Sequence, residues 1–260
     1  AEELSYDTTN NKKRKRNYKI GLYYSYSLED ELMDTFYLSI RIAMEKYLLK
    51  KKIKTLRVSK KDSPISVKGL DGIICLGLFF NEDIERIKSF EKPVVFVDSC
   101  PNENLFDSVI IEYKKATITA LEYLVNLGHK RIGLIGGSDT DYEGNMTYDK
   151  RQYYFRKYLE KLSLYDENYV RVGRYNTKDG YLLTKELLSQ EKRPTALFVA
   201  NDTIAIGAYK ACYELNISIP EDINIIGFND ISQAKYLTPP LTTVKLYTEE
   251  MGVDRKSTPL

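Results

Sequence analysis

An α/β protein of two doubly wound lobes is what the sequence predicts, on three observations. Short continuous apolar runs alternate with segments whose apolar residues recur at helical spacing, a rhythm that calls for parallel strands joined by helical crossovers. The 260 residues amount to about one and three quarter average domains, which favours two cores over one. Most of the longer apolar runs are followed by a short polar residue, Ser, Asn or Asp, as expected where strand ends face a ligand crevice.

Taken in order, residues 18–25 (YKIGLYYS) read as the first strand, followed by an acidic loop and a helix over 36–49. Residues 72–78 (GIICLGL) read as a buried strand, 81–89 as a polar helix, and 93–97 (PVVFV) as another buried strand ending at Asp98. A short strand at 109–111 precedes a helix over 116–127 closed by Gly128, and then a strand at 131–136 (RIGLIG). The second half repeats the pattern. Helices are expected over 151–162, 180–189 and 204–215, with strands at 170–172, 196–200, 223–226 and 242–246.

Composition narrows the function classes. With 43% hydrophobic and 29% charged residues the chain is an ordinary globular one, and it holds a single histidine, which removes the commonest general base and metal ligand from almost every position. Lys plus Arg number 39 against 37 for Asp plus Glu, so the molecule as a whole has no attraction for nucleic acid or anionic lipid. The local exception is the pentad Lys12, Lys13, Arg14, Lys15 and Arg16, read as a solvated linker or a phosphate-contacting arm. Cys75, Cys100 and Cys212 are odd in number and lack CxxC spacing, which gives neither a disulfide framework nor a zinc site and fits a reducing cytoplasm. No apolar run is long enough for a membrane span, and no signal peptide is present in these residues.

The residues after the strands are Ser25, Asp98, Ser138 with Asp139, Asn201 with Asp202, and Asn229 with Asp230. Short acceptors and amides of this kind match the hydroxyls of a neutral sugar better than a phosphate. Asn and Asp in these places also serve as helix N-caps, so the argument rests on the set converging on one crevice. No catalytic site is expected: GxSxG, P-loop, HExxH and helix-opening GxGxxG patterns are absent. His129, in LGHKR, reads as a cation at a helix C-terminus. Tyr153, Tyr154 and Tyr158 read as amphipathic packing.

The segment from Ala120, ALEYLVNLGHKRIGLIGG, and the stretch from Pro194, PTALFVANDTIAIGAYKACYELNISIPEDINIIGFNDISQAKYLTPPLTTVK, resemble the LacI/GalR family of sugar-responsive bacterial repressors. EDELMDTFYLSIR from Glu29 and GFNDISQAKYLTPPLTTVK from Gly227 resemble galactose-operon repressors of Gram-positive bacteria most. The resemblance implies a fold of two Rossmann-like lobes of the periplasmic-binding-protein-like type I. It places a linker and remnant of a DNA-binding domain at 1–17, an N-terminal lobe at 18–111 plus 246–260, and a C-terminal lobe at 112–245. Crossovers fall near Glu112 and Lys245.

The resemblance also assigns roles. Arg151, opening RQYYFRKYL, matches the arginine that bonds the effector from the second lobe, and Asn201 and Asn229 match effector-binding positions. Asp98 matches a first-lobe acceptor, Tyr175 an aromatic wall, and Phe36 and Tyr37 first-lobe rings facing the ligand. Many members carry Asp where this chain has Asn229. Neither cofactor, metal nor catalytic residue is implied. The implied partners are a galactose-like effector, a second copy in a homodimer, and DNA through a helix-turn-helix domain of which AEELSY resembles only the last residues. Met251 and Gly252 match the start of a longer helix, and VDRKSTPL resembles the closing strand and tail, implying a missing stretch between Gly252 and Val253. The competing readings are an exported sugar receptor with the same fold and a carbon-catabolite regulator answering to a phosphorylated carrier protein.

Overall fold

A run of apolar residues without alternation is stable as a strand only where both its faces are covered. In the computed structural model, which describes residues 18–138 and 149–253, that condition is met twice. The first sheet holds β1 (Lys19–Tyr24), β2 (Lys54–Val58), β3 (Gly72–Leu76), β4 (Val94–Val97) and β5 (Asp107–Val109), in the order β2-β1-β3-β4-β5. The second holds β6 (Ile132–Gly137), β7 (Val170–Gly173), β8 (Ala196–Val199), β9 (Asn224–Asn229) and β10 (Thr242–Lys245), in the order β10-β9-β8-β6-β7. All pairings are parallel. Read from the other edge, the second order repeats the first. Each sheet therefore reverses direction beside its first strand, between β1 and β3 and between β6 and β8, and ligands of such sheets bind beyond the carboxyl ends at that reversal.

The helices are α1 (Leu28–Met33), α2 (Thr35–Lys50), α3 (Asn81–Ser89), α4 (Tyr113–Asn126), α5 (Lys150–Lys161), α6 (Thr177–Leu188), α7 (Asp202–Glu214) and α8 (Thr248–Met251). On the first sheet, Leu22 faces Ile40, Met44 and Leu48 of α2, while its neighbour Tyr23 faces the opposite core with Ile73, Phe96 and Ile87 of α3. This is the alternation a strand imposes. On the second sheet, α4 and α5 cover one face around Phe155, Phe198 and Phe228, and α6 and α7 cover the other around Leu187, Val199 and Ala208. The backbones of α6 and α7 approach so closely that a Cβ on Gly180 would overlap the Ile204 carbonyl and one on Gly207 the Thr177 carbonyl. Only glycine allows this crossing.

The α/β class and two doubly wound sheets agree with the sequence reading, with local corrections. The acidic segment expected as a loop is α1, capped by Ser27 and Asp30 in a capping box. Strand β2 was not expected; four of its five residues are exposed because it lies at a sheet edge. The strand expected at 109–111 lies two residues earlier. His129 places its Nδ1 2.9 Å from the Thr195 hydroxyl, and burial lowers its pKa, which works against the cationic form expected there. Of the tyrosines of α5, Tyr158 packs against the core beside the helix's buried stripe, as expected, and Tyr153 does not. That stripe is Arg151, Phe155 and Leu159, while Tyr153 is 41% exposed. Among the described residues no helix is long and apolar enough to cross a membrane and no metal-ligand cluster occurs. The basic pentad, Asp139 and the tail beyond Val253 lie outside the described residues.

Candidate functional site

The loop after β1 leads through α1 to Asp34, whose carboxylate caps α2 by accepting from the Phe36 amide at 3.1 Å. Capping fixes the first turn, and with it Phe36, which is buried, and Tyr37, whose ring stacks on Tyr26 at 4.7 Å. The Tyr37 hydroxyl donates to Asp98 Oδ2 at 2.8 Å. Asp98 ends β4 with φ +68°, a left-handed conformation that Asp tolerates better than most residues. Its other oxygen accepts from the Tyr113 hydroxyl at 3.0 Å. Burial pushes the Asp98 carboxyl up to about 6, against the opposing pull of the two phenols and the charges of Arg151 and Lys150.

From the second sheet, Asp149 caps α5 by accepting from the Arg151 amide at 2.7 Å. Its carboxylate also takes the Arg151 guanidinium in a fork, at 3.0 and 3.1 Å from Nε and 2.8 Å from Nη2. Arg151 Nη1 donates to the carbonyl of Ala200, just beyond the end of β8. The guanidinium is thus held at the reversal between β6 and β8. Three rings surround it, those of Tyr113, Tyr175 and Phe228, with centroids at 5.3, 5.4 and 5.3 Å, an arrangement that stabilises a planar cation. Burial works against its charge, but Asp149 and the phenols outweigh it, and Arg151 stays ionised. Burial likewise opposes the Asp149 anion, and the guanidinium overcomes it, holding that carboxyl below its ordinary range. Tyr175 rests against Gly137, where a side chain would displace its ring, and donates to Asp149 at 2.7 Å.

Asn201 caps α7 with its Oδ1 on the Ile204 amide at 2.8 Å and uses its Nδ2 to reach Asp34 Oδ2 at 2.7 Å. That bond ties the helix after the first sheet's opening strand to a strand end of the second sheet. Asn229 closes β9 with φ +115° and lies with Thr35, Phe36, Ser39 and Asp230 around a cleft of about 390 Å³. Its side-chain amide makes no hydrogen bond to a described residue.

The structure therefore brings Tyr37, Asp98, Arg151 and Tyr175 into one network, pairs Asn201 with Asp34, the cap of the helix that carries Tyr37, and sets Phe36 and Asn229 on the adjoining cleft. Three members were not expected from sequence: Asp34, Tyr113 and Asp149. Asp34 and Asp149 carry a readable signal, an Asp one position before a helix. Tyr113 carries none. Asp202, named after its strand, is turned inward: it accepts from Thr243 at 2.7 Å and the Ile231 amide at 2.9 Å and clamps β10 to β9. Asp230 sits at the cleft mouth near Lys245, at 3.5 Å.

Two parallel-sheet lobes with a polar, ring-lined network at their strand ends define the class of periplasmic-binding-protein-like ligand receptors. Consistent with that, residues 121–254 match the family model described as a periplasmic binding protein-like domain. The chain is 34% identical to the HTH-type transcriptional repressor MelR of Bacillus subtilis, over 97% of this chain and 76% of that protein. It is 35% identical to the HTH-type transcriptional regulator GalR of Streptococcus thermophilus, over 97% and 77%. Among solved structures it superposes on a putative LacI regulator from Bacillus cereus subsp. cytotoxis with TM-score 0.79 at 20% identity, over 91% of this chain and 86% of that one. It superposes on the regulator CelR in complex with cellobiose with TM-score 0.78 at 23% identity, over 90% and 74%. The chain belongs to the LacI/GalR family of transcriptional regulators.

Proposed function

We propose that these residues are the effector-sensing core of a transcriptional repressor, and that a small neutral sugar of galactose type, bound between the lobes, changes its affinity for DNA. The observation that carries this reading is Arg151. A planar cation with its donors at a sheet reversal, walled by rings and set near the first-lobe acceptor Asp98, suits a ring-shaped polyol: aromatic faces take its apolar side and the rim groups take its hydroxyls. Phe36, Tyr37, Asp98, Tyr175, Asn201 and Asn229 complete the proposed contact set. The names of similar regulators support a sugar, since one is a complex with cellobiose and another, from Lactobacillus casei, has bound sucrose.

On this reading residues 18–111 with 246–253 move as one lobe and 112–245 as the other, about crossovers near Glu112 and Lys245. The effector acts through its differential affinity for two lobe arrangements. The change passes through a homodimer to helix-turn-helix heads outside these 260 residues, in the cytoplasm. Titration calorimetry with galactose, glucose, cellobiose and sucrose tests the proposal. One of them is expected to bind, and Arg151→Ala to abolish that binding; a core that binds none, or an Arg151→Ala variant that binds as before, overturns it.

A further inference from the structure

Tyr113 stands where the chain leaves the first sheet for the second, four residues after β5 ends and at the first position of α4. Its hydroxyl donates to Asp98 at 3.0 Å, on the first-lobe side. Its ring lies 5.3 Å from the Arg151 guanidinium and stacks on Phe228 at 6.0 Å with 21° between planes, on the second-lobe side. A side chain that only filled space would need no hydroxyl. Here the hydroxyl and the ring are spent on the two charged groups of the candidate site.

We propose that Tyr113 is the positioning residue of the effector site, one rigid side chain on the crossover that orients the Asp98 carboxylate and the Arg151 guanidinium relative to each other and so sets which hydroxyl pattern is accepted. With Tyr37 on Oδ2 and Tyr113 on Oδ1, the carboxylate plane is fixed between two phenols. An ionised carboxylate has about four acceptor sites, so about two remain, in set directions, for ligand hydroxyls. The guanidinium, lying against the ring, is kept from tilting. A phenol has two torsions and little freedom to lose, which makes it a better spacer than a flexible side chain. Because the residue sits on the crossover, rotation of one lobe against the other changes the Tyr113–Asp98 bond, linking ligand contact to lobe angle. This inference rests on the sugar-effector reading for its ligand, but the placement of Asp98 is measurable without any ligand.

The variant is Tyr113→Phe, which keeps the ring and removes the hydroxyl. The first measurement is the carboxyl titration of ligand-free protein carrying ¹³C-labelled aspartate, with the Asp98 signal assigned by Asp98→Asn. Asp98 faces Tyr37 of α2, Tyr113 of α4, and Lys150 and Arg151 of α5. Losing one phenol donor is expected to raise its midpoint above the value of about 6. The second is calorimetric affinity for the tightest sugar found and for its epimers. Tyr113→Phe is expected to lose roughly tenfold in affinity, the cost of a hydrogen bond to a charged group, and to narrow the ratio between epimers, while the melting temperature moves by a few degrees at most. An unchanged Asp98 midpoint, or unchanged affinity and epimer ratio, overturns the proposal. If the wild-type chain binds no sugar while the Asp98 midpoint still moves, the sugar reading fails and the positioning of Asp98 by Tyr113 stands.

Discussion

The Asn201 amide donates to the Asp34 carboxylate at 2.7 Å, joining a strand end of the second sheet to the helix that follows the first sheet's opening strand. Thr203 adds a longer bond, 3.4 Å, to the other oxygen. The amide proposed to meet the effector is therefore occupied by a partner from the opposite lobe, and the effector must exchange for that contact or extend it.

Asp34→Ala is expected to release this tie and shift the ligand-free protein toward wider lobe separations, seen as a larger radius of gyration in small-angle scattering. Asp34→Asn keeps an oxygen that can accept from Asn201 and is expected to scatter like the wild type. An Asp34→Ala protein with the wild-type scattering curve shows that the bond does not hold the lobes together.

Stability should also depend on pH through two buried carboxyls that form no ion pair with a described residue. Asp98 and Asp202 are both raised from 3.8 to about 6 by burial. In the unfolded chain they titrate near their ordinary value, so between about 4 and 6 the folded state holds protons the unfolded state has lost. Stability therefore rises as pH falls from 7 toward 5, by on the order of 2 kcal/mol for the pair. Asp149 acts the other way. Its lowered pKa gives stability present above its unfolded value and lost as pH falls through the folded one, so the gain reverses below about pH 4. Urea unfolding at pH 5 and pH 7 checks the sign. Asp202→Asn should flatten the slope, and a chain more stable at pH 7 than at pH 5 contradicts the assignment.

What could be read from the sequence follows from how each signal is stored. Runs such as ALFV and IGLIGG are buried at every position, and burial on both faces leaves an unbroken apolar run. Strand β2 is exposed at Lys54, Thr55, Leu56 and Arg57, so no pattern marks it. Asp98, Asn201 and Asn229 are legible because position after a strand is itself a sequence feature, whereas Arg151 is singled out only by the resemblance to a family. Tyr113 and the Asp34–Asn201 bond are not legible, because they depend on how two sheets far apart in sequence face each other, and a chain of 22 tyrosines gives no reason to single out one.

The Arg151–Asp149 pair should be strongly non-additive. Both groups are buried, at 9% and 8% exposure, and their fork closes at 2.8 to 3.1 Å. Arg151→Ala strands a buried carboxylate that then keeps, among the described residues, only Tyr175 and the α5 amide, which costs about 3–5 kcal/mol. Asp149→Ala strands a buried guanidinium and removes the α5 cap, a loss of the same order with about 1 kcal/mol more for the cap. Removing both leaves no uncompensated charge, so the double variant should lie well short of the sum, with a coupling of about 1–3 kcal/mol. Chemical denaturation of the four proteins gives the cycle directly. Additive losses would mean that the two side chains are each held by their other contacts, Arg151 by the Ala200 carbonyl and the three rings, and Asp149 by Tyr175, with the fork contributing little.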